Sequence, residues 1–270
     1  MSGRIPEDHH GRDRHDAGNV PGANAGAAST GAIDPLEAMA DYCEAKGIWL
    51  HVDGAYGGFA VICDEGKQAL RGIERADSIG LDAHKWFFQP YQAGCLLVKD
   101  VSTLEKAFAF RHDVLQDTIW GANHPNMSDR GLQLSRSFGA LKVWMSIQTF
   151  GMAAFREAVA RGMQFAVRAQ EYVGESSVME LLNPSSLGIV CFRINPAEQE
   201  VDEKDLEEVN KTVLARMFWE DRAFITSTSL NGKSSLRLCI LNHTTTWNDV
   251  QEALESIERY GIDALASTRK

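Results

Sequence analysis

The stretch IWLHVDGAYGG at residues 48–58 decides the fold. Its first five residues are mostly apolar, have the length of a buried strand, and are followed directly by an acid and a glycine-rich turn. A helical pattern over residues 36–46 precedes the strand and stops at Gly47. A helix, a buried strand and then an acid with glycines is the order of an α/β unit. Asp53 is therefore predicted at the carboxyl end of a strand, where ligands of open α/β sheets bind.

Outward from this unit, the pattern predicts two α/β blocks and a polar amino terminus. Residues 1–25 are rich in Gly, Asp, His and Arg, and we expect a disordered tail there. The two predicted domains cover residues 26–150 and 151–270. Apolar runs and alternation predict strands in the first block at 78–81 and 93–98, and in the second at 187–194, 223–229 and 235–241. Helical periodicity predicts helices at 102–110, 137–150, 151–173, 203–220 and 246–260.

Helix caps, a turn dipeptide and a polar stretch give further predictions about where these elements begin and end. Asp34-Pro35 with Glu37 predicts a capped helix start, and Thr246 with Asp249 predicts another. Asn231-Gly232 predicts a tight hairpin turn between two strands. The polar stretch 112–131 has no sustained period, which is typical of a functional or mobile loop.

Composition excludes several classes of function. The 270 residues are 44% hydrophobic and 24% charged, which indicates a folded globular protein. With 37 acidic and 27 basic side chains the net charge is −10, which argues against nucleic acid as a partner. No apolar run is long enough to cross a bilayer, so we expect no membrane partner. Five widely spaced cysteines without a CxxC pair favour reduced thiols in a cytoplasmic protein and no metal site.

A second segment, SIGLDAHKW at residues 78–86, places Lys85 just beyond another short strand. Pyridoxal phosphate needs a lysine amine for a Schiff base and a carboxylate that keeps its pyridine nitrogen protonated. Lys85 and Asp53 could supply both groups. Taken singly, each residue has an ordinary alternative: a strand-end Asp is commonly a turn residue, and a lone Lys is commonly a solvated surface group.

With these two segments, the sequence resembles the group II pyridoxal-phosphate-dependent amino-acid decarboxylases, which include the aromatic-amino-acid, histidine and glutamate decarboxylases. The resemblance extends from about Gly26 to Gly261, and three further segments match in family order: TGAIDPLEAMADYC, LQLSRSFGALKVWMSIQTFG and SLRLCILNHTTT. It implies an α/β fold of the aspartate-aminotransferase type (fold type I). Residues 26–150 would be the carboxyl-terminal part of the large cofactor-binding domain, and residues 151–270 the small domain.

The resemblance also implies roles for particular residues. Lys85 matches the Schiff-base lysine and Asp53 the acid at the pyridine nitrogen. Ala55 matches the small residue that packs against the ring, and His84 the neighbour that orients the cofactor. Asp82 lies where family members often have Asn or Asp near the phosphate. The implied activity is decarboxylation of an L-amino acid by a homodimer.

The sequence departs from the family pattern in ways that support an alternative. The family's amino-terminal half, with its phosphate loop and ring-stacking histidine, has no match here, and Ala28 stands where the family has a hydroxyl. The family's loop tyrosine is also missing, because no tyrosine lies between Tyr91 and Tyr172. The alternative is thus a truncated, non-catalytic relative, and we expect little activity from this chain alone.

Other polar residues leave their roles open. His112 or His124 could donate a proton in place of the loop tyrosine, although an ordinary exposed histidine is the simpler interpretation for either one. Arg136 could recognise a carboxylate or form a structural ion pair.

Overall fold

The computed structural model describes residues 22–109, 125–220 and 223–268, and it contains two four-stranded sheets. In the first sheet, three parallel strands are joined by an antiparallel fourth in the order β1-β2-β3-β4. These strands are β1 (Gly22–Asn24), β2 (His51–Asp53), β3 (Ser78–Asp82) and β4 (Gly94–Val98). The helices of this part are α1 (Leu36–Lys46), α2 (Asp64–Ala69) and α3 (Ser102–Phe108).

The second sheet is antiparallel throughout, in the order β5-β6-β8-β7. Its strands are β5 (Met179–Leu181), β6 (Ile189–Ile194), β7 (Thr226–Leu230) and β8 (Lys233–Cys239). The helices of the second half are α4 (Gly139–Glu175), α5 (Glu203–Glu220) and α6 (Trp247–Thr268). The α/β fold class predicted from the sequence is confirmed. No helix within the described ranges is long and apolar enough to cross a membrane.

Strand β6 lies between two hydrophobic cores because both of its faces are buried. Val190, Phe192 and Ile194 pack into a core formed with α4, α5 and α6. Ile189 and Cys191, which alternate with them, belong to the core that also contains residues of the first sheet. The two sheets are therefore held together by a shared apolar interior, which the hydrophobic effect favours.

The predicted boundary of the disordered tail is wrong for residues 22–25. Gly22–Asn24 form β1, which pairs in parallel with β2, and Ala23 is fully buried opposite Val52. Ala25 continues this pairing by donating its N–H to Asp53 O at 2.8 Å. The stretch lacks the large apolar residues that signal a strand, since only its middle residue, Ala23, is buried. The earlier tail residues, 1–21, lie outside the described residues.

Of the three local turn and cap signals, the structure confirms two and contradicts the third. The hairpin is confirmed, since Asn231 and Gly232 both have positive φ and join Leu230 to Lys233. The capping box is also confirmed, because the Asp249 carboxylate accepts the Thr246 N–H at 2.8 Å. Asp34 does not cap α1.

Asp34 instead holds the first strand. Its carboxylate accepts hydrogen bonds from both the backbone and the side-chain nitrogen of Asn24, at 2.7 and 3.1 Å.

The two helices predicted around residue 150 form α4, in which Gly151 has non-helical angles (φ 74°, ψ 153°). Division of the chain into domains at this residue stays a prediction.

A buried amide in the second half provides a test of the fold. Asn210 of α5 accepts the Ile194 N–H at 2.8 Å and donates to the carbonyls of Ile194 and Leu206. We expect Asn210→Ala to lower the free energy of unfolding by about 1–3 kcal/mol, because these buried backbone groups would lose their partner. Urea denaturation measures the change. Lys211→Ala, at an exposed neighbouring position, is the control and should leave the urea midpoint unchanged. Equal midpoints for both variants would contradict the expectation.

Candidate functional site

The candidate site lies on one face of the first sheet, at the carboxyl ends of β2 and β3. The two strands are parallel, with His51 opposite Ser78 and Asp53 opposite Gly80. Because side chains alternate along a strand, Asp82 lies on the same face as Asp53 and Gly80. The face therefore carries carboxylates on both strands, and Gly80 between them adds no side chain, so that the His51 ring lies 3.8 Å from its Cβ position.

Asp53 is exposed and is positioned by the turn that follows it. Its Oδ1 accepts the Ala55 N–H at 3.0 Å, and Gly54 donates its N–H to Gly80 O at 2.9 Å. A Cβ on Gly54 would lie 3.1 Å from the Cα of Gly58, so the close approach of the two backbones favours a glycine there. The half-buried Ala55 is the next residue and adds only a methyl group to this edge.

Lys85 lies in the tight turn after β3 and contacts Asp82. The turn is closed by the Lys85 N–H, which donates to Asp82 O at 3.0 Å. The same geometry brings Lys85 Nζ within 2.9 Å of Asp82 Oδ2. The lysine side chain is 40% exposed, so solvent weakens this ion pair and leaves the amine accessible to a ligand.

His84 is held between the same turn and the start of β4. The Ala93 N–H donates to its Nδ1 at 3.2 Å, and its Nε2 lies 3.9 Å from Asp82 Oδ2. Since Nδ1 accepts a hydrogen bond, the proton of the neutral ring is on Nε2, on the side of Asp82. The Tyr91 ring lies edge-on to the imidazole, with the centroids 4.9 Å apart.

Two residues of this face were missed by the sequence analysis. His51 shares the face of Asp53, and its Nδ1 lies 2.8 Å from Ser78 Oγ. The same oxygen accepts a hydrogen bond from Trp49 Nε1 at 2.8 Å. The period-two spacing of His51 and Asp53 in a predicted strand was the available signal. The serine carried none, because its contacts join segments that are distant in the chain.

Arg237 was also missed. It lies on β8 opposite Cys191, on the face that packs toward the first sheet. Its Nη1 donates to Thr226 Oγ1 at 3.1 Å and its Nη2 to Cys239 Sγ at 3.3 Å. Its buried Nε has no partner within the described ranges. The Arg237 guanidinium thus links β8 to β7 through Thr226.

Of the remaining predicted candidates, Arg136 lies within the described residues and the two loop histidines do not. Arg136 donates from Nη2 to the Met127 carbonyl, so its observed contact is with the backbone rather than with a carboxylate. His112 and His124 lie outside the described residues. The structure brings Asp53, Ala55, Asp82, His84 and Lys85 to one end of the first sheet.

Comparison with protein families and curated proteins identifies relatives. The pyridoxal-dependent decarboxylase conserved domain matches residues 11–195. Aromatic-L-amino-acid decarboxylase of Bacillus atrophaeus is 38% identical over 237 residues, which are 87% of this chain and 49% of that protein. Tyrosine decarboxylase 3 of Petroselinum crispum is 33% identical over 90% of this chain and 48% of its own length. The chain thus spans about half the length of these curated relatives.

Solved structures show the same relationship. A crystal structure of Oryza sativa TDC with PLP and tryptamine matches with a TM-score of 0.83 and 29% identity, over 92% of this chain and 52% of that one. Catharanthus roseus tryptophan decarboxylase in complex with L-tryptophan matches with a TM-score of 0.78 and 30% identity, over 92% and 50%. The fold is that of the fold type I enzymes, as the sequence predicted.

The shared serine oxygen generates a testable prediction. We expect Ser78→Ala to lower the free energy of unfolding by about 1–2 kcal/mol, because Trp49 and His51 lose the oxygen that joins them. The His51 ring should also change its NMR chemical shifts. Ser229→Ala removes an exposed hydroxyl on β7 and is the control, for which we expect neither effect. Wild-type stability in Ser78→Ala would show that the oxygen does not hold this face.

Proposed function

The chain belongs to the pyridoxal-dependent decarboxylase family, and we propose that it decarboxylates an L-amino acid with pyridoxal 5′-phosphate attached to Lys85. One observation carries the proposal. The strand end that bears Asp53 and the turn that bears Lys85 come from neighbouring parallel strands and lie at the same edge of the sheet. This edge is where ligands of open α/β sheets bind.

The residues present fit this cofactor. A flat pyridine ring needs space beside its lysine; Gly80 adds no side chain between Asp53 and Asp82, and the nearest side chain to its Cβ position is the His51 ring, at 3.8 Å. The ring also needs a carboxylate for its nitrogen and an amine for its aldehyde carbon, which Asp53 and Lys85 are able to supply. When bound, pyridoxal phosphate supplies an electron sink for the electrons that carbon dioxide leaves on the substrate Cα.

Each site residue then has a distinct task. The Asp53 carboxylate keeps the proton on the pyridine nitrogen, because an anionic acceptor favours the charged form of its partner. Ala55 presents a methyl group against which a ring is able to pack. Lys85 Nζ holds the cofactor, and Asp82 orients that amine from 2.9 Å. A contact between Asp82 and the cofactor near its phosphate stays a prediction, as does orientation of the cofactor by His84.

We propose an aromatic L-amino acid as the substrate. Three relatives support this choice: the aromatic-L-amino-acid decarboxylase at 38% identity, the tyrosine decarboxylase at 33%, and tryptophan decarboxylase TDC2 of Camptotheca acuminata at 34%. Phenylacetaldehyde synthase of Arabidopsis thaliana is also 33% identical. Because its name indicates an aldehyde product, the test must identify the product as well as the substrate. The product is an amine if decarboxylation is followed only by protonation at Cα.

We further propose a cytoplasmic homodimer. Large apolar side chains are exposed on the segment that leads into α4 and on its first half, and such patches mark association surfaces. They include Leu132, Leu134, Phe138, Trp144 and Phe150. The five cysteines are free, as is usual for cytoplasmic proteins.

Attachment of the cofactor to Lys85 is the direct test of the proposal. We expect pyridoxal phosphate mixed with the chain to give a visible absorbance band, and borohydride to fix the cofactor on Lys85, because its amine is accessible beside Asp82. Peptide mass spectrometry locates the label. Lys85→Ala should abolish it, while Lys67→Ala, at an exposed lysine on α2, should retain it.

Turnover completes this test. We expect carbon dioxide release from phenylalanine, tyrosine and tryptophan to be weak and to depend on Lys85, and chromatography distinguishes an amine from an aldehyde product. A label on another lysine, with Lys85 unmodified, would overturn the assignment. A label on Lys85 without carbon dioxide release would favour the non-catalytic relative.

Self-association provides a separate prediction. We expect light scattering to show a dimer at micromolar concentration, and Trp144→Glu to shift it toward monomer, because a carboxylate would enter the apolar surface of α4. Tyr42→Glu is the control, since it changes an equally exposed aromatic residue on α1 instead. A monodisperse wild-type monomer would contradict the proposed homodimer.

A further inference from the structure

Two aromatic rings form a buried stack directly behind the candidate site. The rings of Tyr56 and Trp86 are nearly parallel, with an interplanar angle of 8° and centroids 5.3 Å apart. Trp86 is fully buried and Tyr56 is almost so. An offset parallel pair of this kind is a favourable arrangement of aromatic rings.

The stack joins the two short segments that carry the site residues. Tyr56 lies three residues after Asp53, in the turn closed by the Gly58 N–H on Gly54 O at 2.9 Å. Trp86 follows Lys85 directly, in the turn closed by the Gln89 N–H on Ala83 O at 3.0 Å. A displacement of either ring must therefore move the backbone beside Asp53 or beside Lys85.

The same stack is anchored in the second sheet. Tyr56 Oη accepts the Gly188 N–H at 3.0 Å, and Gly188 O accepts the Ile240 N–H at 2.8 Å. A Cβ on Gly188 would lie 3.3 Å from both Trp86 and Tyr56 Oη, and 3.0 Å from Ile240 O. A Cβ on Gly162 of α4 would meet Ile240 O at 2.8 Å and the same indole at 3.6 Å. The absence of side chains at Gly162 and Gly188 thus leaves the space that the two rings occupy.

We propose that Tyr56 and Trp86 are positioning residues: their stack fixes the distance between Asp53 and Lys85, and the contact of Tyr56 with Gly188 makes that distance depend on the position of the second sheet. This inference rests on the proposed function, because it concerns the two groups that hold the cofactor. Its structural basis is the continuous contact from Gly188 through Tyr56 to Trp86.

Among the described residues, the polar groups of Tyr56 and Trp86 make no contact that would suggest a role beyond packing and the bond to Gly188. Burial raises the pKa of Tyr56, so its hydroxyl remains protonated and holds the Gly188 amide as a neutral group. Trp86 Nε1 has no hydrogen-bond partner within the described part of the chain. The indole is therefore retained by shape and stacking, and close-packed rings of this kind transmit displacement rather than absorb it.

Hydrogen exchange on the full chain tests the coupling without cofactor. In Gly188→Ala the new methyl group presses on both rings, and in Tyr56→Phe the link to the second sheet is lost while the stack is retained. We expect amides of residues 83–89 to exchange about two- to tenfold faster in both variants, the range expected when one aromatic contact (Gly188→Ala) or one hydrogen bond (Tyr56→Phe) is lost or weakened. Amides of β7 and α6 should keep their wild-type rates.

Gly174→Ala is the matched control, because a Cβ at Gly174 meets nothing within 4 Å. It should leave exchange at residues 83–89 unchanged. If Gly188→Ala does not fold, Tyr56→Phe decides the result, since it removes one oxygen atom only. Faster exchange throughout the chain would indicate general destabilisation and would overturn the proposal, as would wild-type exchange at residues 83–89 in Tyr56→Phe.

A second measurement separates this inference from the proposed function. We expect the rate of borohydride-stable labelling of Lys85 by pyridoxal phosphate to fall severalfold in Tyr56→Phe and to be unchanged in Gly174→Ala. If wild-type Lys85 is not labelled, the proposed function fails while the exchange experiment still decides the coupling. If wild-type Lys85 is labelled and Tyr56→Phe is labelled at the same rate, the positioning role is wrong.

Discussion

Parallel pairing of β2 with β3, with Asp53 opposite Gly80, is the constraint on which the candidate site depends. Because side chains alternate along a strand, a register shift of one residue would turn Asp53 into the apolar interior and Val52 toward solvent. Burial of an unpaired carboxylate carries a large energetic penalty, so the hydrophobic pattern of β2 itself enforces the register. The hydrogen bond from Gly54 to Gly80 then carries this register into the turn beyond the strand.

The second sheet contributes to the site without supplying its reactive groups. One face of β6 closes the core behind β2, and Gly188, just before β6, donates its N–H to the Tyr56 hydroxyl oxygen. Lys85 and Asp53 are therefore supported by contacts with residues more than a hundred positions further along the chain. A rigid support of this kind is what precise orientation of a cofactor requires.

Prediction from sequence succeeded where a local pattern determines a structure. The strand that precedes Lys85, helix α5 and the Asn231-Gly232 hairpin all follow from periodicity or turn chemistry. The strand predicted at 48–52 lies at His51–Asp53. Prediction failed where the decisive contact is distant. Ala23 gives no strand signal and joins the sheet only through β2, and Asp34 holds Asn24 instead of capping α1. The links from Ser78 to His51 and from Tyr56 to Trp86 likewise depend on tertiary packing.

The central claim is that Asp53 controls the protonation of a cofactor carried by Lys85. The most direct measurement is the ¹⁵N NMR chemical shift of pyridoxal phosphate that is labelled at the pyridine nitrogen and bound to Lys85 as the unreduced Schiff base. A protonated nitrogen at neutral pH in the wild-type chain, and a neutral nitrogen in Asp53→Asn, is the result that we predict. The same chemical shift in both proteins would contradict the claim.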